Sequence, residues 1–201
     1  SGFGQDGPYA KRPGFDQIAQ GMGGLMSITG EKGRGPMRVG IPIADLTAGL
    51  FCAMGIFIAL IERENSGKGQ WVQTSLLQAM CFMLDFQGAR YLMEGEVPIQ
   101  AGNNHPTSIP TGVFPTSDSY INIAVAGNRI WHRFCEVIER VDWLTDPHFE
   151  TNSKRSLNRE ELNCLISEIT CGKSSSEWIS LLEKVGVPCG PINDMAAVSY
   201  T

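Results

Sequence analysis

Asp45 stands out among the residues that could do chemistry, because it lies in an apolar segment, GIPIADLTAGLF, with no cation beside it. Burying an unpaired carboxylate is costly, so such a residue usually caps a helix, pairs with a distant charge or is held for chemistry. Asp is a preferred N-cap, and Pro42 lies just upstream of an apolar, helix-like run. The residue alone therefore favours a cap. It leaves a catalytic role open, because a helix N-terminus also stabilises negative charge on an attached acyl group.

Other candidate chemistry is sparse. The three histidines, His105, His132 and His148, have no metal-ligand spacing, and no G-x-S-x-G serine is present. His132 and His148 are expected to be structural or surface groups, whereas His105 lies in the loop-like GNNHP, which could cover a site as easily as form an ordinary turn. The opening GFGQDG fits a dinucleotide-binding pattern, but no strand precedes it and Pro8 follows at once, so a tight turn is favoured.

The bulk composition is that of a globular protein, with 42% hydrophobic and 18% charged residues among 201. The net charge of -5 argues against nucleic acid, although residues 1–40 carry +2, which would suit an anionic small ligand. Six cysteines form no C-x-x-C pair, which favours free, buried thiols in a reducing cytosol. The apolar run 46–61 is shorter than a confident membrane span, so a buried helix is expected.

The elements that must position these residues can be read from periodicity and turn signals. Residues 1–40 are rich in Gly and Pro and predict loops, with one short helix near 15–22. A long helix is predicted over 44–64, a short strand over 70–74 and a second helix over 75–93.

The character of the sequence changes near Gly95. A long loop to residue 112 precedes a predicted hairpin over 113–126, and three amphipathic helices follow. The first places Ile130, Phe134, Val137 and Val141 on one face. The second starts at the capping pair Asn158 and Glu161. The third starts at Ser174 and Glu177, buries Trp178, Leu181, Leu182 and Val185, and stops at Gly186.

Four ordered blocks carry a resemblance to a known family: SGFGQDGPYAKRPGFDQIAQGMGGLMSITG, VGIPIADLTAGLFCAMGIFIALIERENSGKGQ, AGNNHPTSIPTGVFPTSDSYINIAVA and GVPCGPIND. Together they resemble the family III CoA-transferases, the CaiB/BaiF-like group that includes formyl-CoA and carnitine CoA-transferases and acyl-CoA racemases. The resemblance covers nearly the whole chain.

The resemblance implies an α/β fold, with part of a Rossmann-like large domain, mainly long helices here, followed by a small α+β domain. Residues 1–95 would belong to the large domain, 96–190 would form the small domain, and 191–201 would begin the return to the large domain. The chain would be the middle of a longer cytoplasmic protein that forms an interlocked homodimer. The family implies acyl-CoA and carboxylic acid substrates, no prosthetic cofactor, no metal, and neither nucleic acid nor membrane as partner.

In this family the aspartate of the IADLTAG block is the nucleophile, which places that role on Asp45. Its carboxylate would form a mixed anhydride with the donor acyl group and then an aspartyl-CoA thioester, a form of covalent catalysis. Gly102, Asn103, Asn104 and His105 match a loop that covers the intermediates in some members. Gln5 matches a position near the active site in some relatives.

Two alternatives accompany this interpretation. Acyl-CoA racemases share the fold but have a histidine before the aspartate of the block that here reads PGFDQIA, and Phe15 cannot act as acid or base. The chain could instead be a catalytically incomplete piece with a structural or dimerisation role.

Overall fold

The computed structural model describes residues 1–199 and divides the chain into two compact units, Ser1–Gly102 and Asn103–Thr201. Tyr200 and Thr201, the end of the predicted return segment, lie outside the described residues.

The first unit is helical. Its helices are α1 (Asp16–Met22), α2 (Leu25–Ile28), α3 (Ile43–Ser66), α4 (Leu76–Met83) and α5 (Asp85–Glu94). Its buried core consists of four alanines and one methionine: Ala19, Ala44, Ala48, Ala79 and Met80. These small side chains allow α1, α3 and α4 to approach closely, so the first turn of α3 is held at the centre of the unit.

Helix α3 confirms the predicted long helix to within two residues at each end. It stops where Gly67 adopts a left-handed conformation (φ +69°) and donates its N–H to the Arg63 carbonyl at 2.8 Å. The expected burial is wrong for the described residues, because only 17% of its most apolar 18-residue window is buried. By length and composition α3 could cross a membrane, a test that core helices of water-soluble proteins also pass.

Two further expectations for the first unit are wrong. Residues 70–74 form no strand. A short alternating segment becomes a strand only when its backbone can hydrogen-bond to a neighbouring strand, and the sheet in the described residues lies in the other unit. The predicted helix 75–93 is divided into α4 and α5 at Asp85, whose φ of +46° interrupts the helical path.

The second unit is built on a three-stranded antiparallel sheet. Strand β1 (Thr111–Pro115) pairs with β2 (Tyr120–Ala124) in the register Val113 to Asn122, which confirms the hairpin. Strand β3 (Cys189–Pro191) adds to the other edge of β2 and was not predicted, because three residues carry too little pattern.

Helices cover this sheet and complete its core. They are α6 (Asn128–Val137), a 3₁₀ turn (Val141–Leu144), α7 (Asn152–Leu157), α8 (Arg159–Thr170) and α9 (Ser175–Lys184), with α10 (Met195–Val198) near the end. Three tryptophans, Trp131, Trp143 and Trp178, are almost fully buried, and the first two stack at 6.1 Å. The sheet, helices and aromatic core make this unit the α+β part of the chain.

The predicted helix faces are confirmed in part. Ile130, Phe134 and Val137 belong to the core, but Val141 lies beyond the end of α6 and is 56% exposed. Asn158 precedes α8 as predicted, but its amide donates to the His148 and Lys154 carbonyls, so the capping pair with Glu161 is wrong.

The helix α9 prediction is confirmed at its ends. Ser174 and Glu177 form the capping box, and Gly186 follows the helix with a φ of +71°. Trp178 and Leu182 are buried, whereas Leu181 is 38% exposed and does not join the core as expected.

All six cysteines are free, in agreement with the sequence, but burial is uneven. Cys135 is fully buried, and burial raises the pKa of its thiol to about 12. Cys81, Cys164 and Cys171 are exposed, so the expectation of buried thiols holds for only part of the set.

Two carboxylates that bond the start of α9, Asp118 in the turn between β1 and β2 and Glu177 in α9 itself, predict acid sensitivity in the second unit. Asp118 accepts from the Ser175 N–H at 2.8 Å and the Thr116 hydroxyl at 2.9 Å, and Glu177 accepts from Ser174. These hydrogen bonds lower the pKa of both carboxyl groups in the folded protein. The ionised carboxylates therefore stabilise the fold fully at a pH above their pKa in the unfolded chain, and this stabilisation is lost as the pH falls through their pKa in the folded protein. We expect the thermal midpoint to fall below about pH 4, and to fall less steeply in Asp118→Asn and Glu177→Gln. A slope equal to that of the exposed control Glu160→Gln would contradict this.

Candidate active site

Asp45 is the third residue of α3, and its side chain is exposed. Its carboxylate makes no hydrogen bond or ion pair within residues 1–199. The described part of the chain therefore does not bury Asp45, although its sequence neighbours are apolar. The carboxylate is open to an incoming molecule.

The capping interpretation of Asp45 is wrong, because another carboxylate takes that role. The residue at the N-cap is Pro42, which has no side-chain acceptor, and the Ala44 N–H donates to Asp16 Oδ1 at 2.9 Å. Asp16 lies in α1 and is only 8% exposed. The first turn of α3 is thus capped from a different helix.

A small polar network holds Asp16 in place. Gln20, fully buried, donates to Asp16 Oδ2 at 2.8 Å and accepts from the Val39 N–H at 2.9 Å. Arg38 approaches Asp16 Oδ2 at 3.5 Å. One carboxylate therefore ties α1, the segment before α3 and the first turn of α3 together.

The field of α3 favours negative charge at Asp45. A helix N-terminus carries partial positive charge, which is strongest over the first turn. The same field favours the negative charge that develops when a carbonyl attached to Asp45 is attacked.

Substituting Asp16 is expected to loosen this end of the helix. In Asp16→Ala the Ala44 N–H loses its acceptor, and the buried Gln20 amide loses a partner. We expect a loss of about 1–3 kcal/mol in stability and faster hydrogen exchange at Ala44. The matched control is Asp6→Ala, which removes a carboxylate from an exposed turn. Equal stability and exchange in the two variants would refute the cap.

Phe15 lies next to this network. It directly precedes α1 and is 77% exposed, and its neighbour Asp16 bonds the residue before Asp45. Position 15 therefore adjoins the residue that caps α3, and phenylalanine has no group that can act as an acid or base.

The predicted loop residues lie at the boundary between the units. Gly102 belongs to the first unit and donates its N–H to the Gly30 carbonyl at 2.9 Å. Asn103 is exposed in the second unit, and Asn104 forms a bridge to Gly112. A Cβ at Gly112 would lie 2.6 Å from Asn104 Oδ1, so this bridge requires glycine.

His105 has a defined orientation. Its backbone N–H donates to the Thr111 carbonyl at 2.8 Å, and its Nδ1 accepts from the Thr107 and Ser108 N–H groups at 3.2 and 3.0 Å. A ring nitrogen that accepts carries no proton, so the neutral ring has its proton on Nε2. His105 is therefore a hydrogen-bond donor through Nε2.

Gln5 is exposed in the opening turn of the first unit. That segment is tied to α4, whose Leu76 and Leu77 N–H groups donate to the Ser1 and Gly2 carbonyls at 2.9 and 3.1 Å. The structure gives Gln5 a fixed backbone but no contact that defines a role.

Sequence reasoning missed the residues that support the site. Asp16 and Gln20 are polar residues about one helical turn apart on the buried face of α1, and that spacing was the available signal. Their partners lie more than 18 residues away in sequence, so no local pattern identifies them.

Comparison with known proteins assigns the family. The sequence profile described as CoA-transferase family III matches residues 1–200. A succinate–glutarate CoA-transferase of Agrobacterium fabrum is 37% identical over 97% of this chain and 49% of its own. An acetyl-CoA:oxalate CoA-transferase of Acetobacter aceti is 34% identical over 98% of this chain and 51% of its own. The chain spans about half the length of the curated relatives it matches.

Solved structures agree with this assignment. A CaiB/BaiF family protein from Brucella suis is 38% identical and superposes with a TM-score of 0.84, covering 100% of this chain and 53% of that one. A protein from Mycobacterium tuberculosis with 24% identity shares the fold at a TM-score of 0.86. The expected α/β family fold is confirmed, and the chain belongs to CoA-transferase family III.

Proposed function

We propose that the full-length protein containing this chain transfers CoA from an acyl-CoA thioester to a free carboxylic acid, with Asp45 as the nucleophile. The placement of Asp45 carries the proposal. In a chain of this family, its carboxylate is exposed in the first turn of α3 while Asp16 does the capping. A carboxylate that is not needed to hold the helix is available to attack a thioester.

The transfer proceeds in two symmetric halves. The Asp45 carboxylate attacks the carbonyl carbon of the donor thioester. The C–S bond breaks, CoA leaves as a thiolate, and the donor acyl group remains on Asp45 as a mixed anhydride. The thiolate attacks the Asp45 carbonyl carbon, which releases the donor acid and leaves an aspartyl-CoA thioester. The acceptor carboxylate then repeats the sequence in reverse, and Asp45 is regenerated. Each half exchanges one bond for another, so no prosthetic group or metal is needed.

The loop that contains Gly102, Asn103, Asn104 and His105 serves the intermediates in this proposal. The anhydride and the thioester both expose carbonyl oxygens, on which negative charge develops as they are attacked. The amide of exposed Asn103 is a suitable donor to such oxygens. Gln5, exposed in the first unit, is a further polar candidate.

We propose dicarboxylic acids as the substrate class. Several curated relatives are named for succinate, glutarate, oxalate or mesaconate, which carry two carboxyl groups, and the oxalate enzyme is also named for acetyl-CoA. One carboxyl group of such an acid reacts and the other remains anionic, which suits the excess of positive charge in residues 1–40.

Phe15 supports transfer over racemisation. Proton exchange at the carbon beside the thioester needs an acid or base, and position 15, next to the Asp16 that caps α3, carries phenylalanine. We also propose an interlocked, cytoplasmic homodimer that binds neither nucleic acid nor membrane. The exposed apolar face of α3 would then be covered by protein.

An isotope experiment tests the transfer and the nucleophile together. Full-length protein is incubated with succinyl-CoA and glutarate whose carboxylates carry ¹⁸O. Glutaryl-CoA should form, and one ¹⁸O should enter Asp45 per turnover, because the acceptor oxygen bridges the second anhydride and stays with Asp45. Borohydride added during turnover should reduce Asp45 to homoserine. Transfer without label in the Asp45 peptide would refute the nucleophile. No transfer with any acid in a panel of mono- and dicarboxylates would refute the function.

A further inference from the structure

Arg38 lies in the segment that leads into α3, and its backbone is fixed on both sides. The preceding N–H, of Met37, donates to the Met26 carbonyl at 3.2 Å. The following N–H, of Val39, donates to Gln20 Oε1 at 2.9 Å, and Gln20 is fully buried in α1. The Arg38 side chain therefore leaves from a backbone that the first unit holds in place.

The guanidinium of Arg38 is only loosely bound. Its Nη2 lies 3.5 Å from Asp16 Oδ2 and 3.5 Å from the Ile41 carbonyl, both beyond the usual range of a hydrogen bond. The Asp16 carboxylate is bonded more closely by the Gln20 amide at 2.8 Å and by the Ala44 N–H at 2.9 Å. Because the Arg38 side chain is also 43% exposed, most of its N–H donors can bind an anion that arrives from outside.

The three arginines of residues 1–40 differ in what they contact. Arg12 lies over the Tyr9 ring at 4.0 Å, and Arg34 pairs with Glu31 at 3.7 Å, so each meets a partner within three residues of itself. Arg38 instead contacts the carboxylate that caps α3. Of these three positive charges, that of Arg38 is therefore the one tied to the start of the helix that carries the candidate nucleophile.

The capping carboxylate limits the distance between Arg38 and that nucleophile. Asp16 Oδ1 accepts from Ala44, the residue directly before Asp45. The two oxygens of a carboxylate are about 2 Å apart, so Arg38 Nη2 lies within about 9 Å of the Ala44 nitrogen. An acid of five carbons extends its free carboxylate on the order of 5 Å beyond the carbon bonded to Asp45. A long, half-exposed arginine side chain can close a gap of this size.

We propose that Arg38 determines the substrate class by binding the second carboxylate of a dicarboxylic acid while the first reacts at Asp45. The inference rests on the proposed function, which supplies the reaction at Asp45. A guanidinium binds a carboxylate through two parallel hydrogen bonds, and the second carboxylate keeps its charge in the thioester, the anhydride and the free acid alike. An acid with one carboxylate lacks this partner and is bound less well.

Acceptor selectivity tests this role in the full-length protein. Glutarate and pentanoate have the same number of carbons and differ in the second carboxylate. In Arg38→Gln we expect kcat/KM for glutarate to fall by about tenfold or more and that for pentanoate by less than about threefold. Arg38→Lys, which keeps the charge and loses the paired geometry, should fall between the wild type and Arg38→Gln. The matched control Arg34→Gln removes an exposed arginine of the same segment and should leave both values unchanged.

Two kinetic outcomes would overturn the proposal. Equal losses for the two acids in Arg38→Gln would show that the variant only loosens the cap of α3, because a weaker cap slows every acceptor alike. A loss of glutarate activity in Arg34→Gln as large as that in Arg38→Gln would show that any positive charge in this segment serves equally well.

Calorimetric binding of glutarate to the full-length protein provides a measurement that needs no turnover. We expect the Kd of glutarate to rise by about tenfold or more in Arg38→Gln and the Kd of pentanoate to stay the same. An unchanged Kd for glutarate, or a wild-type protein that binds glutarate no more tightly than pentanoate, would overturn the proposal. A wild-type protein that transfers no CoA to any acid would overturn the proposed function, and the binding of glutarate would then decide the role of Arg38.

Discussion

Replacing Asp45 with alanine in the full-length protein is expected to lower CoA transfer by about a thousandfold or more. Without the Asp45 carboxylate neither the anhydride nor the aspartyl thioester can form. The only remaining route is direct attack of the acceptor carboxylate on the donor thioester. Because Asp45 is exposed and bonds nothing in the described residues, stability should change by less than about 0.5 kcal/mol. The measurements are initial rates of acyl-CoA formation and the thermal midpoint of the same samples.

Two companions sharpen this prediction. Asp45→Asn preserves the shape and removes the nucleophile, so it should be as inactive as the alanine variant. Glu62→Gln changes an exposed carboxylate at the far end of α3 and should retain full activity. A fully active Asp45→Ala protein would end the proposed mechanism. An inactive one that has also lost its fold would contradict the placement of Asp45 at the surface.

Replacing Arg155 with alanine is expected to destabilise the second unit by about 3 kcal/mol or more. The change deprives the buried Ile109 and Phe149 carbonyls of their donor and empties the space beside Trp131, above whose ring the guanidinium lies at 4.5 Å. Tryptophan fluorescence during urea unfolding measures this, because three of the four tryptophans lie in that core and Trp71, in the first unit, is 77% exposed.

The matched variants separate packing from hydrogen bonding. Arg155→Met keeps most of the side-chain volume and loses the donors, so its loss should be smaller than that of alanine but still above about 1 kcal/mol. Arg129→Ala removes an exposed arginine from α6 and should unfold at the wild-type urea concentration. An Arg155→Ala midpoint within error of that control would show that the buried guanidinium does not hold this unit together.

Local patterns predicted the local parts of the fold well. The capping box at Ser174 and Glu177 is a signal carried within four residues, and the hairpin needs only two runs and a turn. The errors arose where a pattern needed a partner. The run 70–74 alternates like a strand but has no strand beside it in its unit, and the pattern over 75–93 passes through Asp85 without showing the break.

The candidate site divides in the same way. Asp45 was identified from its residue type, its apolar surroundings and the resemblance of its segment to a family, and GNNHP from its loop composition. Neither observation could show that Asp45 does not cap α3. The cap is Asp16, which accepts from the Ala44 N–H and lies 28 positions before it in the sequence. The side chains of Asn152, Arg155, Arg159 and Asn163 were equally hidden from sequence patterns, since their bonds to the loop 104–110 span 43 positions or more.

The sequence by itself determined the long helix α3, the hairpin and the capping box of α9, the family that the four blocks resemble and the carboxylate near the start of α3. Spacing and residue type act over one or two turns of chain, so these features are readable without a fold. Only the tertiary structure decided that Asp16 caps that helix, that Asp45 is left exposed and that four side chains of α7 and α8 bond the loop 104–110. Each of these depends on hydrogen bonds between distant segments, which exist only once packing has brought donors and acceptors to within about 3 Å of each other.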